Sequence, residues 1–238
     1  MIARNIFKIV AIFVIGMIGG IFADQILWPY FVEKPLFFQY QLEKDQASIV
    51  EKKETIIQEN NALTDAVEKR EGVIVAVRSQ TSDGTIEGSG LIVTSDGLIV
   101  TLAELVPQGS VFNFFVNGKA APFQILKRDY NKNLALIKLE ESNLPTVGFA
   151  DLSALKLGER VFLIGEVVNK KESSKLVNEG IVRKLNNNSI ETNILEKNIL
   201  KGSSLFNIKG EVLGINTINI EGRVVTIPAS IIKEFTGL

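Results

Sequence analysis

Gly88-Ser89-Gly90-Leu91-Ile92-Val93-Thr94-Ser95-Asp96-Gly97-Leu98-Ile99-Val100-Thr101 holds two apolar, β-branched runs joined at Ser95-Asp96-Gly97. Val and Ile are stiff at χ1 and suit a pleated surface, and Asp-Gly supplies a tight turn, so the stretch predicts a β-hairpin. The same grammar continues on both sides. Runs rich in Val, Ile, Leu and Phe recur at 73–78, 90–94, 98–101, 111–116, 122–127, 134–139, 160–164, 180–184, 190–193, 211–216 and 223–227. Turn signals at Asn117-Gly118, Asn186-Asn187-Asn188, Lys209-Gly210 and Glu221-Gly222 separate many of them. Short strands punctuated in this way predict an all-β domain over residues 73–238, built as a sandwich or a pair of barrels. Residues 228–235, with Pro228 at the start, predict a closing helix.

Upstream of the hairpin the character of the chain changes. From Phe37 to Glu71 there is no Gly and no Pro, and Leu42, Ile49, Ile56 and Leu63 recur every seven residues. This predicts a long helix over residues 36–72, closed by Gly72. The second row is poor, with Asp45, Lys52, Glu59 and Ala66 three residues further on. The pattern therefore fits two arrangements: a coiled coil that makes an oligomer, or one amphipathic helix lying on the domain or on a membrane.

Residues 1–35 read as a membrane segment. Ile9 to Ala23 is apolar without interruption, and Ile9 to Phe31 would span about 34 Å as a helix, enough to cross a bilayer. Arg4 and Lys8 precede it, which puts the N-terminus in the cytoplasm and the rest of the chain outside. Trp28 and Tyr30 suit the outer interface. A cleaved signal peptide is the competing reading, although Ile21-Phe22-Ala23 is a poor cleavage site. Either way the domain is expected outside the cytoplasm, and an uncleaved helix makes the chain a single-pass membrane protein in contact with lipid.

Composition removes several function classes. Lys+Arg is 26 and Asp+Glu is 27, a balance that gives no footprint for nucleic acid. There is no Cys and no His, so disulfides, thiolate nucleophiles, a lipoprotein anchor and ordinary zinc sites are all excluded. Neither a metal site nor a cofactor is expected.

Four blocks carry a family resemblance. The opening hairpin, Asn133-Leu134-Ala135-Leu136-Ile137-Lys138, Gly180-Ile181-Val182, and Leu205-Phe206-Asn207 with 209–217 are similar, in order and spacing, to motifs of the HtrA/DegP-like serine proteases. Ile227-Pro228-Ala229 resembles the start of that family's last helix. The resemblance implies a trypsin-like double β-barrel with a C-terminal helix. It leaves no room before residue 238 for the PDZ domain of many relatives.

Carrying the family triad onto this chain puts Glu104 at the histidine, Asn133 at the aspartate and Lys201 at the serine. A Ser-His-Asp triad needs an imidazole that takes a proton near neutral pH. The side chain of a glutamate, with a reference pKa near 4.3, is a poor base for that task, and Lys201 has no hydroxyl. Ile199 replaces a glycine whose N–H belongs to the family oxyanion hole, so the hole is expected to be closed. Ser203 or Ser204 with Lys201 has the composition of a Ser-Lys dyad; the plainer reading is two turn serines after Gly202. Ser89 reads as structural.

Opposite charges at 104 and 201 predict an ion pair across the cleft, with Asn133 behind the carboxylate. Thr217-Ile218-Asn219 stands where the family pairs a strand edge with extended substrate, so peptide binding can outlive chemistry. The resulting expectation is a membrane-anchored, catalytically inactive pseudo-protease that binds or scaffolds extended peptides or other envelope proteins. The alternatives are an assembly protein with a rigid barrel and a serine hydrolase with a non-standard site.

The heptad row generates a test of assembly. If it is a seam, a fragment from residue 33 onward is an oligomer, a trimer as in many relatives, and Ile49→Asp with Ile56→Asp dissociates it. Light scattering that reports a monomer for the unmutated fragment rejects the coiled coil.

Overall fold

In the computed structural model, which describes residues 2–28, 61–169 and 172–238, the chain divides into two units, Met1–Glu59 and Asn60–Leu238. Within the first, α1 (Ile2–Phe22) continues as wider π-helical turns over Ala23–Leu27. Asn5–Leu27 is long and apolar enough to cross a membrane, and its place near the N-terminus also suits a signal sequence. The wider turns fall on Asp24 and Gln25, the first polar side chains after the apolar run.

The second unit begins in helix α2 (residues 61–70). A 3-10 turn, Glu71–Val73, then delivers the chain to β1 (Ile74–Thr81). Ala66 is buried, and Leu63 and Val67 pack against the same core as β1, so these helical turns belong to the β-domain. Leu63, the last residue of the heptad row, therefore faces the domain. Leu42, Ile49 and Ile56 lie outside the described residues.

The sequence hairpin forms as expected and sits at the centre of its sheet. The strands are β2 (Gly84–Ile92), β3 (Leu98–Thr101), β4 (Val111–Val116), β5 (Lys119–Ala121), β6 (Phe123–Asp129) and β7 (Leu134–Leu139). With β1 they form a seven-stranded sheet in the order β5-β4-β1-β2-β3-β7-β6. This sheet is an open half-barrel. Its edge strands β5 and β6 meet in sequence at Pro122, which has no N–H to continue a ladder. Leu91, Ile92, Ile99, Phe114, Leu134 and Ile137 are fully buried inside it.

The second barrel is closed. It contains β8 (Arg160–Asn169), β9 (Glu172–Asn186), β10 (Ser189–Leu195), β11 (Ser204–Asn207), β12 (Val212–Ile218) and β13 (Arg223–Pro228), in the order β10-β13-β12-β11-β8-β9. The α3 helix (Ala229–Thr236) closes the chain and buries Ile232 and Phe235. The β8–β9 hairpin is longer than the apolar runs indicate. Its outer half, rich in Glu, Ser and Lys, pairs in unbroken register from Gly165↔Leu176 to Val168↔Ser173.

That outer half forms the seam with the first sheet. The Ser89 hydroxyl donates to the Glu166 carbonyl at 3.1 Å and accepts from the Glu166 N–H at 2.9 Å. Glu166 is 1% exposed. Ser173 Oγ donates to its Oε1, whereas Oε2 has no partner. Lys175 and Glu71, themselves 3.8 Å apart, act on it with opposite signs. Burial dominates and raises its pKa above the ordinary carboxylate value.

This fixes a sign. Between the unfolded value of about 4.3 and the raised native value, the folded state keeps a proton that the unfolded chain has released. The contribution of Glu166 to stability is thus complete at acid pH and lost as pH rises through the native pKa. Thermal melts from pH 4 to pH 8 should show the advantage of Glu166→Gln over the parent growing with pH and then levelling. A difference that does not change with pH rejects the assignment.

Candidate functional site

The three positions assigned to the triad meet at one point between the two barrels. Glu104 lies in a short 3-10 turn, Ala103–Leu105, that follows β3, and its flanking residues Ala103 and Leu105 are buried. Burial of these neighbours fixes the turn and leaves the Glu104 side chain in the cleft. Asn133 directly precedes β7 and adopts a left-handed backbone, with φ 51°. Asn tolerates that conformation better than most residues. Lys201 ends the 3-10 turn Asn198–Leu200, whose Leu200 is buried in the second barrel.

Lys201 Nζ is 2.7 Å from Glu104 Oε2. Asn133 Nδ2 donates to Glu104 Oε1 at 2.9 Å, and its own Oδ1 accepts from the Glu104 N–H at 3.0 Å. The Asn133 carbonyl also accepts from the Ala103 N–H at 3.2 Å. The predicted clasp therefore forms, and Asn133 supports Glu104 from behind through side chain and backbone. The pair is not dry: the side chains are 22% exposed for Lys201 and 39% for Glu104.

The backbone around Lys201 is committed elsewhere. Its N–H donates to the Asn198 carbonyl at 3.1 Å, within the 3-10 turn. Its carbonyl accepts from the Ser89 N–H at 2.9 Å, across the seam. The next residue, Gly202, has φ +79°, and a Cβ there would stand 2.1 Å from the Ser89 carbonyl oxygen. Only glycine fits this crossing. Ile199 is 40% exposed at the surface of the turn.

Ser203 and Ser204 are fully buried. Ser203 Oγ accepts from Asn216 Nδ2 at 3.0 Å, and Asn216 Oδ1 accepts from the Thr226 hydroxyl at 2.6 Å. Lys201 Nζ is engaged by Glu104, so the contacts join neither serine to a base; Ser203 follows the Gly202 turn, whereas Ser204 opens β11 and is not a turn serine. Ser89 is structural as read. Its role as the bridge between the barrels was not legible, because its partner Glu166 is 77 residues away.

The three strand-edge residues differ in what they leave free. Asn216 turns its N–H and carbonyl away from β13, to the Ser203 carbonyl and the Gly202 N–H, each at 2.8 Å. Alternation along the antiparallel strand then points the Ile218 N–H and carbonyl the same way, and Thr217 toward β13. Asn219 instead closes the β12–β13 turn: its N–H donates to the Arg223 carbonyl at 3.0 Å, and its carbonyl and Oδ1 accept from residues 221–223. Ile218, a buried residue, is thus the one of the three whose N–H and carbonyl face away from β13 without closing the turn.

A family model for the trypsin-like peptidase domain matches residues 88–215, more than half of the chain. The chain is 34% identical over 139 residues to a probable periplasmic serine endoprotease, DegP-like, of Pseudomonas putida, covering 55% of this chain and 28% of that protein. It is 30% identical over 143 residues to the putative serine protease HhoB of Synechocystis, covering 55% and 34%. A DegP-like protein of Chlamydia pneumoniae is 28% identical over 151 residues, covering 59% and 30%. The chain spans about a third or less of the length of these curated relatives.

The exposure of the clasp sets its expected worth. A half-wet ion pair contributes at most about 1 kcal/mol. Glu104→Gln and Lys201→Met should each lower stability by no more than about that amount in urea denaturation. A loss of about 3 kcal/mol or more would show that the pair behaves as buried.

Proposed function

The chain belongs to the trypsin-like peptidase family in its HtrA-like branch, and we propose that it is a membrane-tethered member that holds other proteins outside the cytoplasm without cleaving them. The observation that carries this reading is the ion-paired group of Glu104, Asn133 and Lys201 at the positions assigned to the triad. Acyl transfer needs a nucleophile, a base of suitable pKa and donors aimed at the developing oxyanion. Lys201 offers no hydroxyl, its ammonium is held by Glu104, and its N–H is taken by Asn198. The chain has no histidine or cysteine to recruit instead.

The first unit supports the tether. The side chains of Ile9, Ile12, Phe13 and Ile15 are 68–70% exposed, an apolar surface that water disfavours and a bilayer accepts. Arg4 and Lys8 orient it with the N-terminus in the cytoplasm. The periplasmic name of the DegP-like relatives accords with a domain in the cell envelope. Binding is argued from the open backbone edge at Ile218, which can accept an extended strand without any chemistry at the clasp.

The test of inactivity uses the full chain in detergent. It should neither degrade unfolded casein above a buffer blank nor label with a fluorophosphonate. Turnover abolished by Ser203→Ala or Ser204→Ala overturns the proposal. Replacing Glu104, Asn133 and Lys201 together by His, Asp and Ser should not be enough to create activity, because the 3-10 turn still consumes the N–H of residue 201.

A further inference from the structure

We propose that the edge at Ile218 and the ammonium of Lys201 form one site that reads the free C-terminal carboxylate of an extended peptide. The inference rests on the strand-addition reading above and specifies its ligand. It begins with a vacated lane. β11 runs antiparallel to β12 with Ser204 opposite Ile215, and Ser203 and Gly202 still bond to Asn216. Had the chain run straight, residue 201 would face Ile218. It does not: the left-handed turn at Gly202 and the bond from Ser89 to the Lys201 carbonyl divert the chain to the other barrel. The Ile218 N–H and carbonyl are left facing a lane that the protein's own strand has quitted.

Direction follows from the sheet. Among the described residues every strand-to-strand pairing in this barrel is antiparallel; an isolated bridge from Phe149 to Val212 in β12 is parallel. A peptide that enters the lane antiparallel to β12 runs from the Ile218 end toward Gly202, so its C-terminus arrives at the diversion. At about 3.4 Å per residue there is room for only one or two residues beyond the one facing Ile218. A peptide whose chain ends there brings a carboxylate to that point.

The charge that meets it is Lys201. Its side chain is 22% exposed, and of the three donor positions on Nζ Glu104 Oε2 occupies one. Glu104 keeps Asn133 and its own N–H as partners when the ammonium turns to a second carboxylate. The two carboxylates then compete for one cation, so Glu104 acts as an internal competitor for the ligand. Ile199, beside the diversion, and Ile220, fully exposed just past Ile218, provide apolar surface at the two ends of the lane. They favour apolar residues in the peptide. A peptide that continues past this point has no carboxylate for Lys201 and must turn out of the lane at Gly202.

The test uses the full chain in detergent micelles and two random octapeptide libraries, one ending in a free carboxylate and one in a carboxamide. The free-acid library should be enriched, and the best peptides should lose about tenfold or more in affinity on amidation, the scale of one charge-assisted hydrogen bond. Lys201→Met should erase that difference, and Glu104→Gln should tighten free-acid binding by removing the competitor. Circular dichroism melts confirm that both variants are folded. Equal enrichment of both libraries leaves strand addition standing and overturns C-terminal recognition. Enrichment of neither overturns both.

Discussion

The structure depends on a crossing of two main chains. Ser89 and Lys201 come from opposite barrels and are joined N–H to carbonyl, and the contact leaves no room for side chains. A Cβ on Gly88 would lie 2.6 Å from the Lys201 carbonyl oxygen, and one on Gly202 would lie 2.1 Å from that of Ser89. Around this point the Ser89 carbonyl also accepts from the Thr101 hydroxyl, and the Ser89 hydroxyl holds Glu166. Ser89, Thr101 and Glu166 are buried, so leaving one of their groups unpaired would cost about 1–3 kcal/mol. Because the crossing fixes both barrels, it also fixes where Glu104 and Lys201 meet.

The clasp is a contact that the crossing permits rather than one that creates it. Residues 103–105 and 198–200 are anchored through the buried Ala103, Leu105 and Leu200. Their positions are set by packing before any charge is considered. This explains how a chain can carry such different chemistry at these three positions within one fold. The barrels need the glycines and the buried serine, whereas the polar side chains in the cleft are answerable only to one another.

The fold was largely legible because its signals are local. Alternation and Asp-Gly turns marked the hairpin, and β3, β4 and β7 fall where their apolar runs place them. The clasp was legible too, since opposite charges at positions of known spacing have one obvious arrangement. What escaped was long-range. The outer half of β8–β9 is polar and gains its strand character from pairing with itself and from docking on the seam. The three residues of β5 are too few to show a period. Asn219 looked like part of a strand edge, yet Asn followed by Glu-Gly one residue later is also a turn signal, and the turn claims it. The strand pattern left a sandwich and a pair of barrels open, the resemblance favoured two barrels, and the first sheet is an open half-barrel with Pro122 between its two edge strands.

That opening bears on how such domains behave when crowded. An unclosed sheet presents edges, and edges are templates for polymerisation between copies. Here the edge formed by β5 is three residues long and carries Lys119, and β6 carries Lys127 and Arg128. Between them Pro122 removes a donor at the place where a foreign strand would have to begin. The gap in the first barrel is thus guarded by brevity, like charge and a missing N–H. An edge built this way offers a second copy little to pair with.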